Sequence, residues 1–337
     1  MTEFNLEILL DQLAELSPKA TQRLSLTELE WVLSDWVRGW EQQLLQNSVT
    51  CPDVTSRERV REFGFVYLPC FIAADFPLVS IDQTRRLALA GASGALYALL
   101  LDHIIDNPLT APVSLKLAGD HLLFHSWQLL SELFPTASLF WDEFKHCMYL
   151  MSQAMLEEQQ RHFGAVRPFS LAEFKQIAHG KMALAQLNWI GMAILSNRPE
   201  YIPTLIQCWN AIGLAEVICD DVLDWREDYE NANYTYLLSQ ILLASPFQKE
   251  IDAGHLPETA EVGAALFCSD KVEALYLLAY EDLRIAQEQA LNINCPALAG
   301  VIDTFKTKTG AWPTELFKRK MATLLTIHQY KSINDGG

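Results

Sequence analysis

Nearly every segment of this chain between residues 26 and 330 repeats its apolar residues with a helical period. The stretch 26–46, SLTELEWVLSDWVRGWEQQLL, opens on a Ser suited to capping and then keeps one apolar stripe. The same pattern predicts helices over roughly 82–106, 114–133, 138–162, 170–196, 199–229, 233–244, 259–292, 297–308 and 313–330. Pro, Gly, Asn and Asp fall between them, among them Pro108, Pro135, Pro168, Pro203, Pro246, Gly254, Pro296 and Pro313. No segment alternates apolar and polar residues convincingly, and no repeat, low-complexity tract or linker breaks the run. The expectation is all-α. Half of the 337 residues are hydrophobic, enough for one large core. The organisation expected is a helical extension over 1–50, a main domain over 51–330 and a tail over 331–337.

Twenty-five basic residues against 42 acidic ones give a net charge of −17. That excludes ready nucleic-acid binding and any electrostatic gain at an anionic membrane. An anionic ligand needs local Lys or Arg, or a bound cation. The seven cysteines are scattered and form no CxxC, as expected of reduced thiols in a cytoplasmic protein. Acids interrupt the apolar pattern of MTEFNLEILLDQLAEL, so it does not read as a signal peptide. Apolar stretches such as Met182–Leu195 are too short for a bilayer, and no transmembrane segment is expected.

Two acidic clusters stand out. In ICDDVLDWRED, Asp220, Asp221, Asp224, Glu227 and Asp228 directly follow the apolar run Ala211–Cys219. On one continuous helix, taking Asp220 as zero, Asp224 falls at about 40° and Glu227 at about −20°, with Asp221 and Asp228 flanking at about 100° and 80°. Like charges one turn apart cost about 0.2–0.5 kcal/mol even when exposed, and burial raises the cost. In ALYALLLDHIIDNP, Asp102 and Asp106 share a face at the end of another long apolar helix. An isolated DxxxD is usually a solvated helix face. Two such clusters, each closing an apolar helix, point instead to a hard cation. Carboxylate oxygens suit Mg²⁺, which keeps waters and shares its shell with phosphates. His103 is the only histidine in either cluster, which argues against zinc.

With these motifs the chain resembles the class I isoprenoid synthase superfamily, most clearly over about 80–240. LLLDHIIDN looks like its first aspartate-rich motif, with His103 in place of the second Asp. GLAEVICDDVLDWRED looks like the second motif of a prenyltransferase, and AHGKMALAQL sits where the family has a lysine that touches diphosphate. The resemblance implies a single helical bundle around a deep apolar pocket, with a prenyl diphosphate as substrate. It implies Mg²⁺, three ions per site. Asp102 and Asp106 would hold two; Asp220 and Asp224 would hold the third, with Asp221, Glu227 or Asp228 assisting. The metals would neutralise the leaving pyrophosphate so that the allylic C–O bond ionises. Homodimers are common in this superfamily.

Departures from the family pattern bear on which member this resembles. No Arg–Arg pair follows Asp106, where the chain reads NPLTAPVSLK. Upstream, TSRERVREFGFVYLP carries Arg57, Arg59 and Arg61 without Gly-Gly-Lys. Elongation machinery for a second, homoallylic substrate therefore looks rewritten. This favours an atypical class I terpene synthase, a carbon–oxygen lyase ionising and cyclising a linear prenyl diphosphate of C15–C20 or longer. The all-carboxylate second motif is closer to prenyltransferases, so chain elongation or head-to-head condensation stays open. His103 also leaves room for a non-catalytic homologue.

Further candidates carry a plain alternative. Lys181 either touches diphosphate or is a solvated lysine beside a glycine. Arg226 points away from the acid stripe, which suits a salt bridge better than a substrate contact. Tyr236, like Asn231, either closes over diphosphate or starts a helix. Tyr97, five residues before Asp102, sets pocket depth or fills the core. Trp189, Trp209, Phe124 and Trp127 line a cavity or, more simply, pack in the core. Lys318, Arg319 and Lys320 cap the site or lie on a solvated face.

Overall fold

The computed structural model describes residues 69–106 and 113–334. Twelve α-helices and no β-strand lie among them. In chain order the helices are α1 Ile81–Asp106, α2 Val113–Leu133, α3 Phe140–His162, α4 Leu171–Lys181, α5 Ala183–Leu195 and α6 Ile202–Leu223. There follow α7 Trp225–Glu230, α8 Tyr236–Leu242, α9 Phe247–Asp252, α10 Thr259–Cys268, α11 Lys271–Asn292 and α12 Pro296–Asn334. The only extended pairing described is one isolated bridge, Phe163 with Asn233. The helix expected over 26–46 and the arginines at 57, 59 and 61 lie outside the described residues, as do 107–112 and 335–337.

The chain forms two compact units. The first takes in α1, α2, the start of α3, α5 and the segment 290–301. In it α1 packs on α2 and α5. The approach to α5 is close because residue 91 is glycine: a Cβ there would lie 2.3 Å from the Asn188 side chain. Leu87, Leu96, Leu100 and Trp189 are fully buried, and Phe134 stacks on Phe140 at 3.9 Å. Asp75 caps the start of α12, its carboxylate accepting from Ala297 N at 3.0 Å and Leu298 N at 2.8 Å, where Pro296 has no N–H to satisfy.

The second unit holds 152–182, 207–289 and 302 onward, and with them the second acidic cluster. Here the predicted helices break where side chains intervene. The one expected over 170–196 starts on a capping box, Ser170 with Glu173, and ends at Met182. Trp209 Nε1 donates to Met182 O at 2.8 Å, spending a carbonyl at that break. The helix expected over 199–229 breaks at Asp224, and the one over 259–292 breaks at 269–270. Conversely, 297–308 and 313–330 are one helix, α12, running through Pro313. Trp312, next to the proline, meets Tyr276 with ring centroids 4.2 Å apart.

The core assignment of Phe124 and Trp127 is corrected. Both are exposed on α2, at 62% and 53%, and Trp127 has only an edge contact with Trp141 at 6.4 Å. Trp189 and Trp209 are core residues as expected. The stretch Pro199–Leu223 is long and apolar enough to cross a membrane, which the sequence reading did not anticipate; most of it is buried in protein.

Candidate functional site

Asp220 and Asp221 are the last acids before α6 ends, and Asp224 sits at the break before α7. The break changes the geometry expected of one straight helix. Asp224 N still donates to Asp220 O at 2.9 Å, and Asp228 N to Asp224 O at 3.0 Å, but Asp224 leaves helical conformation. The cluster therefore wraps a corner rather than forming one stripe. Asp224 and Glu227 end up exposed, Asp228 half-buried.

The carboxylates differ sharply in environment. Asp220 is reached by solvent, yet desolvation, aided by Glu216 and Asp224, pushes its pKa up to about 6. Accessible and desolvated together describe a carboxylate in a recess. Asp221 is held far above the usual carboxylate range, by burial first and then by Asp228, Glu158 and Asp220. Its Oδ2 is buried without a hydrogen-bond partner. Asp228 rises to about 7 through burial, although Asn233 Nδ2 donates to its Oδ1 at 2.7 Å. Each of these groups resists ionisation chiefly because it is desolvated, and neighbouring acids add to the effect.

Two lysines offset part of that charge. Lys181, the last residue of α4, is not a solvated lysine: its Nζ contacts Glu158 Oε1 at 2.8 Å and Oε2 at 2.7 Å, both side chains largely buried. Lys308 on α12 bonds Glu216 Oε1 at 2.7 Å. Both lysines pull the Asp220 pKa down. His162 closes the neighbourhood, its Nδ1 3.7 Å from Glu158. Burial first, then Lys181 and Arg161, lowers its pKa to about 4, so the ring is neutral at physiological pH.

The other candidates fall as follows. Tyr236 is fixed in an aromatic group, stacked on Phe174 at 4.7 Å and edge-on to Phe169 at 5.2 Å. Arg226 lies over the Trp225 ring at 5.3 Å, a cation–π contact in place of the expected salt bridge. In the first unit, Asp102 is half-buried near the end of α1. The side chains of His103 and Asp106 lie outside the described ones, as do those of Arg319 and Lys320; Lys318 is exposed. Tyr97 packs against Gly119 of α2, where a Cβ would meet its ring at 3.5 Å. A cavity of about 30 Å³ lies nearby, lined by Gly91, Gly94, Ser126 and Asn188 among others. It has room for a few waters and is far too small for a prenyl chain.

Among the described residues no three His, Cys, Asp or Glu side chains converge as a finished metal site. The donor chemistry nevertheless suits a hard cation: oxygen donors only at the α6–α7 corner, one of them orphaned, and charge that the two lysines leave uncompensated. The first motif is open to this test only at Asp102.

Sequence reading missed Glu158, Glu216, His162, Asn233 and Lys308. Glu216 was legible, one helical turn before Asp220 on the same face. Asn233 lies five residues after Asp228, within the turn that follows it. Glu158, His162 and Lys308 come from distant segments, with nothing local to mark them.

No family model matches the sequence, and no curated protein is similar to it. Solved structures do match. A polyprenyl synthase from Caulobacter crescentus, complexed with calcium and isoprenyl diphosphate, superposes with TM-score 0.63 at 16% identity, over 83% of this chain and 95% of that one. A decaprenyl diphosphate synthase from Rhodobacter capsulatus gives 0.61 at 17%, over 84% and 97%. A geranylgeranyl pyrophosphate synthase from Corynebacterium glutamicum gives 0.60 at 18%, over 88% and 96%. The chain has the all-α fold of these isoprenyl synthases.

Proposed function

We propose that the chain is a divalent-metal-dependent enzyme that ionises a prenyl diphosphate, and that it is a prenyltransferase. The observation that carries the ionising role is the cluster of desolvated, partly orphaned carboxylates at the α6–α7 corner, flanked by two lysines. The fold shared with three prenyl synthases supports transfer. It outweighs the preference for cyclisation that the sequence suggested. Cyclisation remains the second reading on one observation: no Arg–Arg pair follows Asp106 to bind a second diphosphate.

In this account Asp220 and Asp221, with Asp224 or Asp228, would hold metal on α6–α7, and Asp102 and Asp106 would hold it on α1. A divalent ion there, Mg²⁺ by donor chemistry, would supply positive charge against the leaving diphosphate. Lys181 adds a donor for a phosphate oxygen on leaving Glu158. The allylic C–O bond breaks heterolytically and its electron pair departs with pyrophosphate. The carbocation is captured by the double bond of a second prenyl diphosphate in transfer, or by one of its own double bonds in cyclisation, and the new cation then loses a proton to the pyrophosphate or to solvent, which restores a double bond. Neutral His162 adds no positive charge to repel the cation.

Incubation of purified protein with Mg²⁺ and geranylgeranyl diphosphate, with and without isopentenyl diphosphate, tests the reading. Transfer predicts pyrophosphate release and a longer linear product that requires isopentenyl diphosphate. A cyclic hydrocarbon or alcohol formed from the single substrate would establish the second reading. No consumption of farnesyl, geranylgeranyl or longer diphosphates under either condition would contradict both.

A further inference from the structure

We propose that Lys308 is a second diphosphate-binding lysine, parked on Glu216 until the ligand arrives, and that it works together with Lys181, which Glu158 parks in the same way. The inference rests on the prenyl-diphosphate reading above and assigns a residue that neither the sequence motifs nor the fold likeness points to.

The geometry is that of two matched lysine–glutamate pairs, one of them on the face of α6 that carries Asp220. Glu216 lies one turn before Asp220 on α6, so both face the same way. Lys308 reaches that face from α12, with Nζ 2.7 Å from Glu216 Oε1. Lys181 reaches the cluster from the end of α4 and meets Glu158 of α3 at 2.7 Å. The four side chains are similarly half-buried, between 19% and 28% exposed. Both lysine charges are felt at Asp220.

An ordinary structural role explains this poorly. Partly exposed ion pairs contribute little to stability. Each glutamate adds a further negative charge to a unit already crowded with acids at Asp220, Asp221, Asp224, Glu227 and Asp228. The glutamates make sense as holders. Without them a long, flexible ammonium in this surrounding would settle on Asp220 or Asp221 and neutralise the donors meant for a cation. Held on glutamate, it leaves those donors open and stays within reach of a phosphate. Lysine suits the exchange because its three donors swivel on a four-carbon stem. Solvent still reaches each glutamate, and a charge-assisted bond from the lysine to a phosphate oxygen replaces the bond that is lost.

Calorimetric titration of inorganic pyrophosphate in excess Mg²⁺ into the full chain tests this. Lys308→Met should weaken binding by about tenfold or more. Glu216→Gln should bind at least as tightly as wild type, because it frees the lysine and removes a competing charge. Lys308→Arg, which keeps the charge, should retain most of the affinity and excludes misfolding as the cause of the loss in Lys308→Met. Wild-type affinity in a folded Lys308→Met would overturn the assignment and leave the proposed function standing. Equal weakening by Glu216→Gln and Lys308→Met would mark the pair as structural and overturn it too. Failure of the wild-type chain to bind Mg²⁺–pyrophosphate at all would overturn the proposed function together with it.

Discussion

At the residue scale, Asp228 is the most informative carboxylate, because burial raises its pKa to about 7 while it keeps a hydrogen bond from Asn233. A folded pKa above the unfolded value means that the folded chain holds its proton longer. Stability from this group is therefore full below about pH 4 and is lost as pH rises towards 7. His162 runs the other way: its folded pKa of about 4 lies below 6.5, so its contribution is lost as pH falls from about 6.5 to 4. Bulk pH dependence mixes the two, and the Asp228→Asn variant separates them. In metal-free protein its stability gain over wild type should be near zero at pH 4 and about 1–3 kcal/mol at pH 8, discounted for partial exposure. Thermal melts at the two pH values check it; a gain that does not grow with pH would contradict the assigned environment. Asp221→Asn should likewise stabilise metal-free protein, by roughly 1 kcal/mol, and reduce the stabilisation given by Mg²⁺ with pyrophosphate.

At the element scale, the contact of α1 with α5 depends on a missing side chain. Gly91→Ala places a Cβ 2.3 Å from Asn188, and overpacking of this kind costs about 1–3 kcal/mol. Gly94→Ala, three residues along, meets only Ser126 Oγ at 3.6 Å and should be neutral or slightly stabilising. Chemical denaturation of the two variants distinguishes the sites; equal effects would mean that α1 and α5 are not as close as described. Most helices were legible because the apolar period is strong: α1, α2 and α3 fall within two residues of expectation. The break at Met182 coincides with a tertiary partner, the Trp209 bond to Met182 O, that no local pattern encodes, and no local breaker marks the one at Asp224. α12 runs on through Pro313, a breaker that sequence reading must take at face value, with Trp312 beside it in contact with Tyr276. The site divides the same way. Its acids were legible as an electrostatic anomaly, whereas Glu158, His162 and Lys308 arrive from other helices.

At the scale of the whole molecule, the proposed function asks a chain with net charge −17 to bind a polyanion. The structure resolves the paradox locally. Acids are gathered until several are reluctant to ionise, one oxygen is left unpartnered, and the two lysines that could neutralise them are held on glutamates. Such a site is short of positive charge by itself, and on the proposed function a divalent cation with a diphosphate would complete it. The most direct test is the rate of pyrophosphate release from geranylgeranyl diphosphate, with Mg²⁺ and isopentenyl diphosphate present, for wild type, Asp220→Ala and Asp102→Ala. The account predicts turnover by wild type and a loss of about a hundredfold or more in each folded variant. Full activity in either variant would contradict it.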